Sequence, residues 1–249
     1  MVIIMSDRKI AIIGYGRFGR LWARILEDYG EVFIIHNKEV KEEVKTIDPS
    51  ELGEMDWVIF AVPISQMEAA IQAHAEFLRP GTVVMDVGSV KVHPVQILKN
   101  NLSSEVEILG THPMFGPDSA GYGLEGLQMV LCSERISEES LKTVRSVFSE
   151  LKLDLLEMSP EEHDRQIAKS LALVHYLGRA LNEMDLKRLD LTTLGLERLL
   201  AIDETVNNDT WELFFDMHNY NPYAGEVRRE LRENLEKLEE KINKEGKDE

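Results

Sequence analysis

Lys9-Ile10-Ala11-Ile12-Ile13-Gly14-Tyr15-Gly16-Arg17-Phe18-Gly19 decides how the first half of this chain folds. A short run rich in β-branched residues is followed by three glycines in a G-x-G-x-x-G pattern, and then by an amphipathic stretch over Phe18–Tyr29. Strand, tight turn and helix in that order form the mononucleotide half of a dinucleotide-binding unit. Each glycine has its own task. Gly14 permits the turn, Gly16 lets a pyrophosphate approach bare backbone, and Gly19 lets the helix pack closely on the strand. The helix N-terminus adds partial positive charge for the phosphates. Tyr15, Arg17 and Phe18 complete the loop, so residues 14–19 are expected to touch the cofactor.

Outward from this loop, short β-branched runs alternate with amphipathic segments, the pattern of βαβ units around a parallel sheet. Strands are expected at Lys9–Ile13, Val32–Ile35, Trp57–Val62, Thr82–Val87, Glu107–Gly110, Gln128–Cys132 and Asp154–Glu157. Helices are expected at Phe18–Tyr29, Ser65–Phe77, Val92–Asn100 and Glu138–Leu151. At Ser159-Pro160-Glu161-Glu162 the texture changes, because serine, proline and two acids together open a helix. Beyond it the chain reads as helical, broken at Thr192–Gly195, Asn207–Asp209 and Asn221-Pro222 into about four helices. The fold expected is α/β: a Rossmann-type, doubly wound, mostly parallel sheet over residues 1–158, then an all-helical domain over 159–249. Leu231, Leu235, Leu238 and Ile242 form one apolar stripe on the last helix, and the charges around them a solvated face.

Composition excludes several classes. Of 249 residues, 28 are Lys or Arg and 45 are Asp or Glu, a formal net charge of −17. That charge disfavours nucleic acid and anionic membrane as partners. Cys132 is the single cysteine, which excludes an internal disulfide and a cysteine metal site. No metal-ligand spacing stands out, so no metal is expected. No apolar run reaches the ~18 residues of a membrane span, and Met1–Met5 is too short for a signal-peptide core. A cytoplasmic protein is the expectation.

The tip of the second strand bears on cofactor choice. An NAD site usually places an acid there for the ribose hydroxyls, whereas this chain has Ile35-His36-Asn37-Lys38. His36, Asn37 and Lys38 tolerate a 2′-phosphate, and Lys38 or His36 can pair with it. NADP is therefore favoured; NAD remains open if Lys38 is an ordinary loop lysine. Ala61-Val62-Pro63 ends the third strand at the carboxyl edge, where such sheets bind ligands. It suits adenine or ribose contact, and equally a buried strand end turned by proline.

Two more segments follow parallel strands. Asp86-Val87-Gly88-Ser89-Val90-Lys91 follows the fourth, and Thr111-His112-Pro113-Met114-Phe115-Gly116-Pro117-Asp118-Ser119 the fifth. Gly88 and Ser89 are expected to cap the next helix and leave a hydroxyl near the nicotinamide; a purely structural cap fits as well. Pro113 limits the backbone beside His112. A histidine there suits alcohol oxidation, in which a proton must leave as hydride does.

These stretches resemble the prephenate and arogenate dehydrogenases of tyrosine biosynthesis. His112–Ser119 is similar to that family's catalytic-histidine motif, Asp86–Lys91 to its serine-lysine motif, and His163-Asp164 with His175 to the start of its helical domain. The resemblance implies an NAD(P)-dependent oxidative decarboxylation of prephenate, or alternatively of arogenate. It implies His112 as base, Ser89 orienting His112 or the substrate hydroxyl, and His175 and Lys91 as substrate-binding. It also implies a homodimer through the helical domain, where Trp211, Phe214 and Phe215 need cover. His175 lies in the apolar run Leu171–Leu177, so a core histidine competes with that role.

The chain departs from the family at one point. The resemblance implies a carboxylate-binding arginine shortly before Asn207-Asn208-Asp209, but Ala201-Ile202-Asp203-Glu204-Thr205 stands there. Arg198, Arg179, Arg228 and Arg229 are the candidates nearby. Two other functions compete: a dehydrogenase of similar shape using Lys169, and an NADP-binding regulatory protein without chemistry.

Overall fold

The computed structural model describes residues 7–37 and 44–245. They form two compact units, Met1–His163 and Asp164–Glu249. The boundary expected after residue 158 falls between the last strand, Asp154–Glu157, and the helix Pro160–Ile167.

In the first unit seven strands form one sheet in the order β2-β1-β3-β4-β5-β6-β7. They are β1 (Lys9–Ile13), β2 (Glu31–Ile35), β3 (Trp57–Phe60), β4 (Val83–Asp86), β5 (Glu107–Pro113), β6 (Gln128–Arg135) and β7 (Asp154–Glu157). The first five are mutually parallel; β6 opposes β5 and pairs in parallel with β7. Helices α1 (Arg17–Leu26), α2 (Met67–His74), α3 (Val92–Asn101), the short α4 (Pro117–Ala120) and α5 (Glu138–Glu150) connect them. Alternation along β1 shows why the sheet is covered twice. Ile10 and Ile12 pack with Trp22, Leu26 and Phe148 in one core. Ala11 and Ile13 pack with Leu52, Phe60, Ile71 and Leu98 in the other. Each large apolar side chain so buried contributes about 1.5–3 kcal/mol.

The second unit is helical. α6 (Pro160–Ile167), whose first residues up to His163 belong to the first unit, passes through a π-helical stretch, Ala168–Ala172, into α7 (Leu173–Glu183), followed by α8 (Leu194–Asn207), α9 (Trp211–Asn219) and α10 (Ala224–Glu245). Thr193 and Thr210 cap α8 and α9, their hydroxyls accepting from Leu196 N at 3.2 Å and Leu213 N at 3.1 Å. At Gly178 α7 meets α8 so closely that a Cβ would stand 2.3 Å from Val206 Cγ2. The stripe on α10 is uncovered in the single chain: Leu235, Leu238 and Ile242 are exposed. No described helix is long and apolar enough to cross a membrane.

Three local expectations are corrected. Thr111, His112 and Pro113 belong to β5 rather than to a loop, because β6 pairs with them. Pro113 is tolerated because β4 ends opposite Gly110 and the next amide, Met114 N, donates to Gln128 O at 2.9 Å. The missing N–H of Pro113 thus faces the side where no neighbour strand continues. Gly88 and Ser89 do not cap α3; Lys91 holds that position without a side-chain cap bond. The helix expected over Ser65–Phe77 is a regular helix only over Met67–His74, with a 3₁₀ turn on either side.

Candidate active site

The glycine loop has the geometry its sequence requires. Gly14 has φ +102°, and a Cβ there would lie 2.6 Å from Ala61 O. A Cβ on Gly19 would lie 2.2 Å from Gly14 O, so strand and helix meet backbone to backbone. Gly16 differs: nothing stands within 4 Å of its absent Cβ, and no side chain caps α1. Open space beside an uncapped helix start fits a pyrophosphate. Tyr15 is buried and donates its amide to His36 Nδ1 at 3.3 Å, while Arg20 stacks on its ring. Arg17 is exposed and pairs with Asp118 of α4, and Phe18 packs on Trp22 and Phe115.

His36 and Asn37 at the tip of β2 line a cavity of about 670 Å³, together with Thr46, Asp48, Pro49 and His74. Asp48 also lines it, but accepts bonds from Ser50 N and Oγ. Lys38 lies outside the described residues. Ala61, Val62 and Pro63 follow β3 at the same edge, and Ala61 N donates to Ile13 O at 2.8 Å.

At the ends of β4 and β5 lies a buried polar cluster. Lys91 and Asp86 are fully buried and paired, and Lys91 Nζ also donates to Thr111 O at 2.5 Å. Lys91, expected to bind substrate, is thereby committed inside the protein. Burial pushes the Asp86 carboxyl upward against the pull of Lys91. Ser89 is buried, and its Oγ has no hydrogen-bond partner among the described residues. His112 Nδ1 lies 2.8 Å from His163 Nε2, with the rings edge to face. Burial, then the neighbouring His163 and Lys91, holds His112 well below 6.5. A neutral imidazole in a dry site with Nδ1 engaged can act as a base through Nε2.

In the second unit His175 is buried, its Nε2 3.7 Å from Asp209 Oδ2 and its Nδ1 without a hydrogen-bond partner among the described residues. Burial lowers it, outweighing Asp209. Arg179, one turn on, donates to Asn207 Oδ1 at 2.7 Å and Asp209 O at 2.6 Å and lies over Trp211. Of the candidate arginines, Arg179 shares this cluster with His175; Arg228 bonds His218 Nδ1 at 2.7 Å. Among the described residues there is no group of acids, histidines or cysteine able to hold a metal.

Sequence reasoning named His163 only as part of a motif and missed its bond to His112. No local signal reveals that bond, since it spans two elements 51 positions apart. The burial of Lys91 was legible only in hindsight, from an unusual cation at a helix start.

Comparison with known proteins agrees with this geometry. Residues 36–156 match the model of the prephenate dehydrogenase nucleotide-binding domain, and residues 180–249 that of the TYRAAT1-like C-terminal domain. The chain is 32% identical over 241 residues to arogenate dehydrogenase 2, chloroplastic, of Arabidopsis thaliana, covering 91% of this chain and 67% of that protein. It belongs to the prephenate and arogenate dehydrogenase family. Members of this family are NAD(P)-dependent oxidoreductases of tyrosine biosynthesis. Arogenate dehydrogenase 1 of the same plant is 31% identical, over 88% of this chain but only 37% of its own length. The fold matches crystalline prephenate dehydrogenase from A. aeolicus, in complex with hydroxyphenyl propionate and NAD+, with a TM-score of 0.77 at 20% identity over 98% of this chain and 93% of that one. The match to the family's nucleotide-binding model begins at residue 36, after the glycine loop, so the assignment of Gly14–Gly19 rests on the loop's own geometry.

Proposed function

We propose that this chain oxidatively decarboxylates arogenate to tyrosine with NADP as hydride acceptor. The buried, neutral His112 at the end of β5 carries this reading. Prephenate, placed first by the motifs alone, becomes the second substrate, because the two Arabidopsis relatives, at 32% and 31% identity, are named for arogenate. Asp209 beside His175 adds support, since an acid suits the ammonium that distinguishes arogenate from the keto acid.

Residues 14–19, His36, Asn37 and Ala61–Pro63 would hold the dinucleotide, whose nicotinamide supplies the hydride acceptor. Nε2 of His112 takes the proton of the ring hydroxyl while the carbon bearing it loses hydride. The ring carboxylate then departs as carbon dioxide and the ring becomes aromatic, which makes the sequence irreversible. The unpartnered Ser89 hydroxyl orients the same oxygen. His175 and Arg179 serve the substrate side chain. Absence of an acid at the β2 tip favours NADP over NAD. A homodimer through the helical unit would cover Leu235, Leu238 and Ile242.

Absorbance at 340 nm in four mixtures, arogenate or prephenate with NADP or NAD, tests the reading. Rapid reduction with arogenate and NADP is expected. Turnover of prephenate alone overturns the substrate, and silence in all four, with dinucleotide bound by calorimetry, overturns the reaction. His112→Asn is expected to bind dinucleotide and lose turnover by about 10³-fold or more.

A further inference from the structure

The His112–His163 contact determines which nitrogen of His112 can act. Two neutral imidazoles joined Nδ1 to Nε2 share one proton, so one ring donates and the other accepts. If His163 donates, His112 carries its own proton on Nε2 and cannot take one from a substrate. If His112 donates, Nε2 presents a lone pair. We propose that His163 is a positioning residue of the reaction, accepting the Nδ1 proton of His112 and thereby holding Nε2 in its basic form. This rests on the reading of His112 as the base.

The surroundings fit an imidazole partner better than a carboxylate. Lys91, ahead of α3, and His163, on α6, are the ionisable groups whose charge bears on His112. Asp86, at the end of β4, and His112 face His163. A carboxylate at the place of His163 would stabilise the imidazolium and raise His112 toward permanent charge. An imidazole fixes the tautomer without a standing negative charge, so the base stays neutral. When the substrate O–H breaks and the new N–H forms on Nε2, the positive charge appears on His112. His163 still accepts the Nδ1 proton at that moment. Asp86 is close enough to act on His163 electrostatically, and its buried Oδ1 has no hydrogen-bond partner among the described residues, so its carboxylate helps to balance that charge. The role resembles that of the third member of a catalytic triad, which orients a histidine without itself becoming protonated.

Two variants and one direct observation test this in the full chain, with whichever of arogenate or prephenate turns over. His163→Gln keeps an acceptor oxygen near the position of Nε2, whereas His163→Leu removes it. His163→Leu is expected to lose kcat by about 10²-fold or more with the dinucleotide KM unchanged. His163→Gln is expected to recover to within about tenfold of wild type. Nitrogen-15 NMR of the imidazoles in the unmodified protein at neutral pH should find the proton of His112 on Nδ1. That observation decides the matter even if His163→Leu fails to fold. Protonation on Nε2, equal losses in both variants, or a His163→Leu kcat within about threefold of wild type would overturn the proposal. An active His112→Asn overturns the base itself, a failure distinguishable from any behaviour of His163.

Discussion

Lys91→Met separates a structural lysine from a substrate lysine. Lys91 and Asp86 are both fully buried, and the ammonium reaches Asp86 and the Thr111 carbonyl. Methionine keeps the aliphatic stem beside Gly110, where Lys91 Cδ stands 3.4 Å from the position of an added Cβ, and removes only the charge. Breaking a buried pair by deleting one partner costs about 3–5 kcal/mol, since the other charge remains buried and unbalanced. At roughly 2–4 °C per kcal/mol for a chain of this size, the melting temperature should fall by about 6–20 °C. The loss should also depend on pH. Without Lys91 the folded value of Asp86 rises further above the unfolded 3.8. The native state then binds more protons than the unfolded chain between those two values. The penalty is therefore full above that raised folded value and shrinks as the pH falls from it toward 3.8. Asp86→Asn combined with Lys91→Met should recover at least half of the loss. The assay is thermal unfolding followed by circular dichroism at several pH values. A melting temperature within about 2 °C of wild type, accompanied by a raised substrate KM, would refute this reasoning and return the ammonium to the substrate site.

Three further outcomes are expected. Gly19→Ala drives a Cβ to 2.2 Å from Gly14 O and should destabilise by about 1–3 kcal/mol or more; Gly16→Ala should nearly keep its stability but weaken dinucleotide binding by about tenfold or more, as calorimetry would read. Burial lowers His112 and His175 and pushes His218 down to about 4, so the unfolded chain binds more protons below 6.5 and stability falls as pH drops from 6.5 toward 4. His218→Asn, which keeps an acceptor for Arg228, should flatten part of that slope in melting curves taken at fixed ionic strength. Asp209→Asn should shift the ratio of arogenate to prephenate turnover toward prephenate by about tenfold, in steady-state assays of each substrate.

The strand-turn-helix start, the alternation after it and the helical second half were legible in the sequence because each is written in local periodicity. β1 and β7 have the very bounds expected for them. What escaped was set by tertiary pairing. Nothing within Thr111-His112-Pro113 announces a strand; it becomes one because β6 runs back along it. The motifs named Ser89, Lys91 and His112 and implied a role for each, but not the contacts that each makes. Only the fold shows a hydroxyl left unpaired, an ammonium locked on Asp86 and an imidazole paired with His163. The arginine question shows the same limit. Arg179 stands one turn beyond His175 in the chain, but its engagement with Asn207 and Asp209 depends on how α7 and α8 pack.

The reversal of β6 has a consequence for how this scaffold can vary. A parallel continuation would have required a crossover back to the far edge of the sheet. Here the chain leaves β5 and re-enters β6 at one place, where Met114 N already bonds Gln128 O. The segment between them, with α4 and the Phe115 anchor on Trp22, is in effect a cassette with stapled ends. It can be lengthened, shortened or grafted from a relative without changing the register of any strand, provided an aromatic residue is kept at the anchor. Sequence change is therefore best placed in the exposed residues 121–123, since Leu124 and Leu127 pack on the core and Gly126 N bonds Lys152 O.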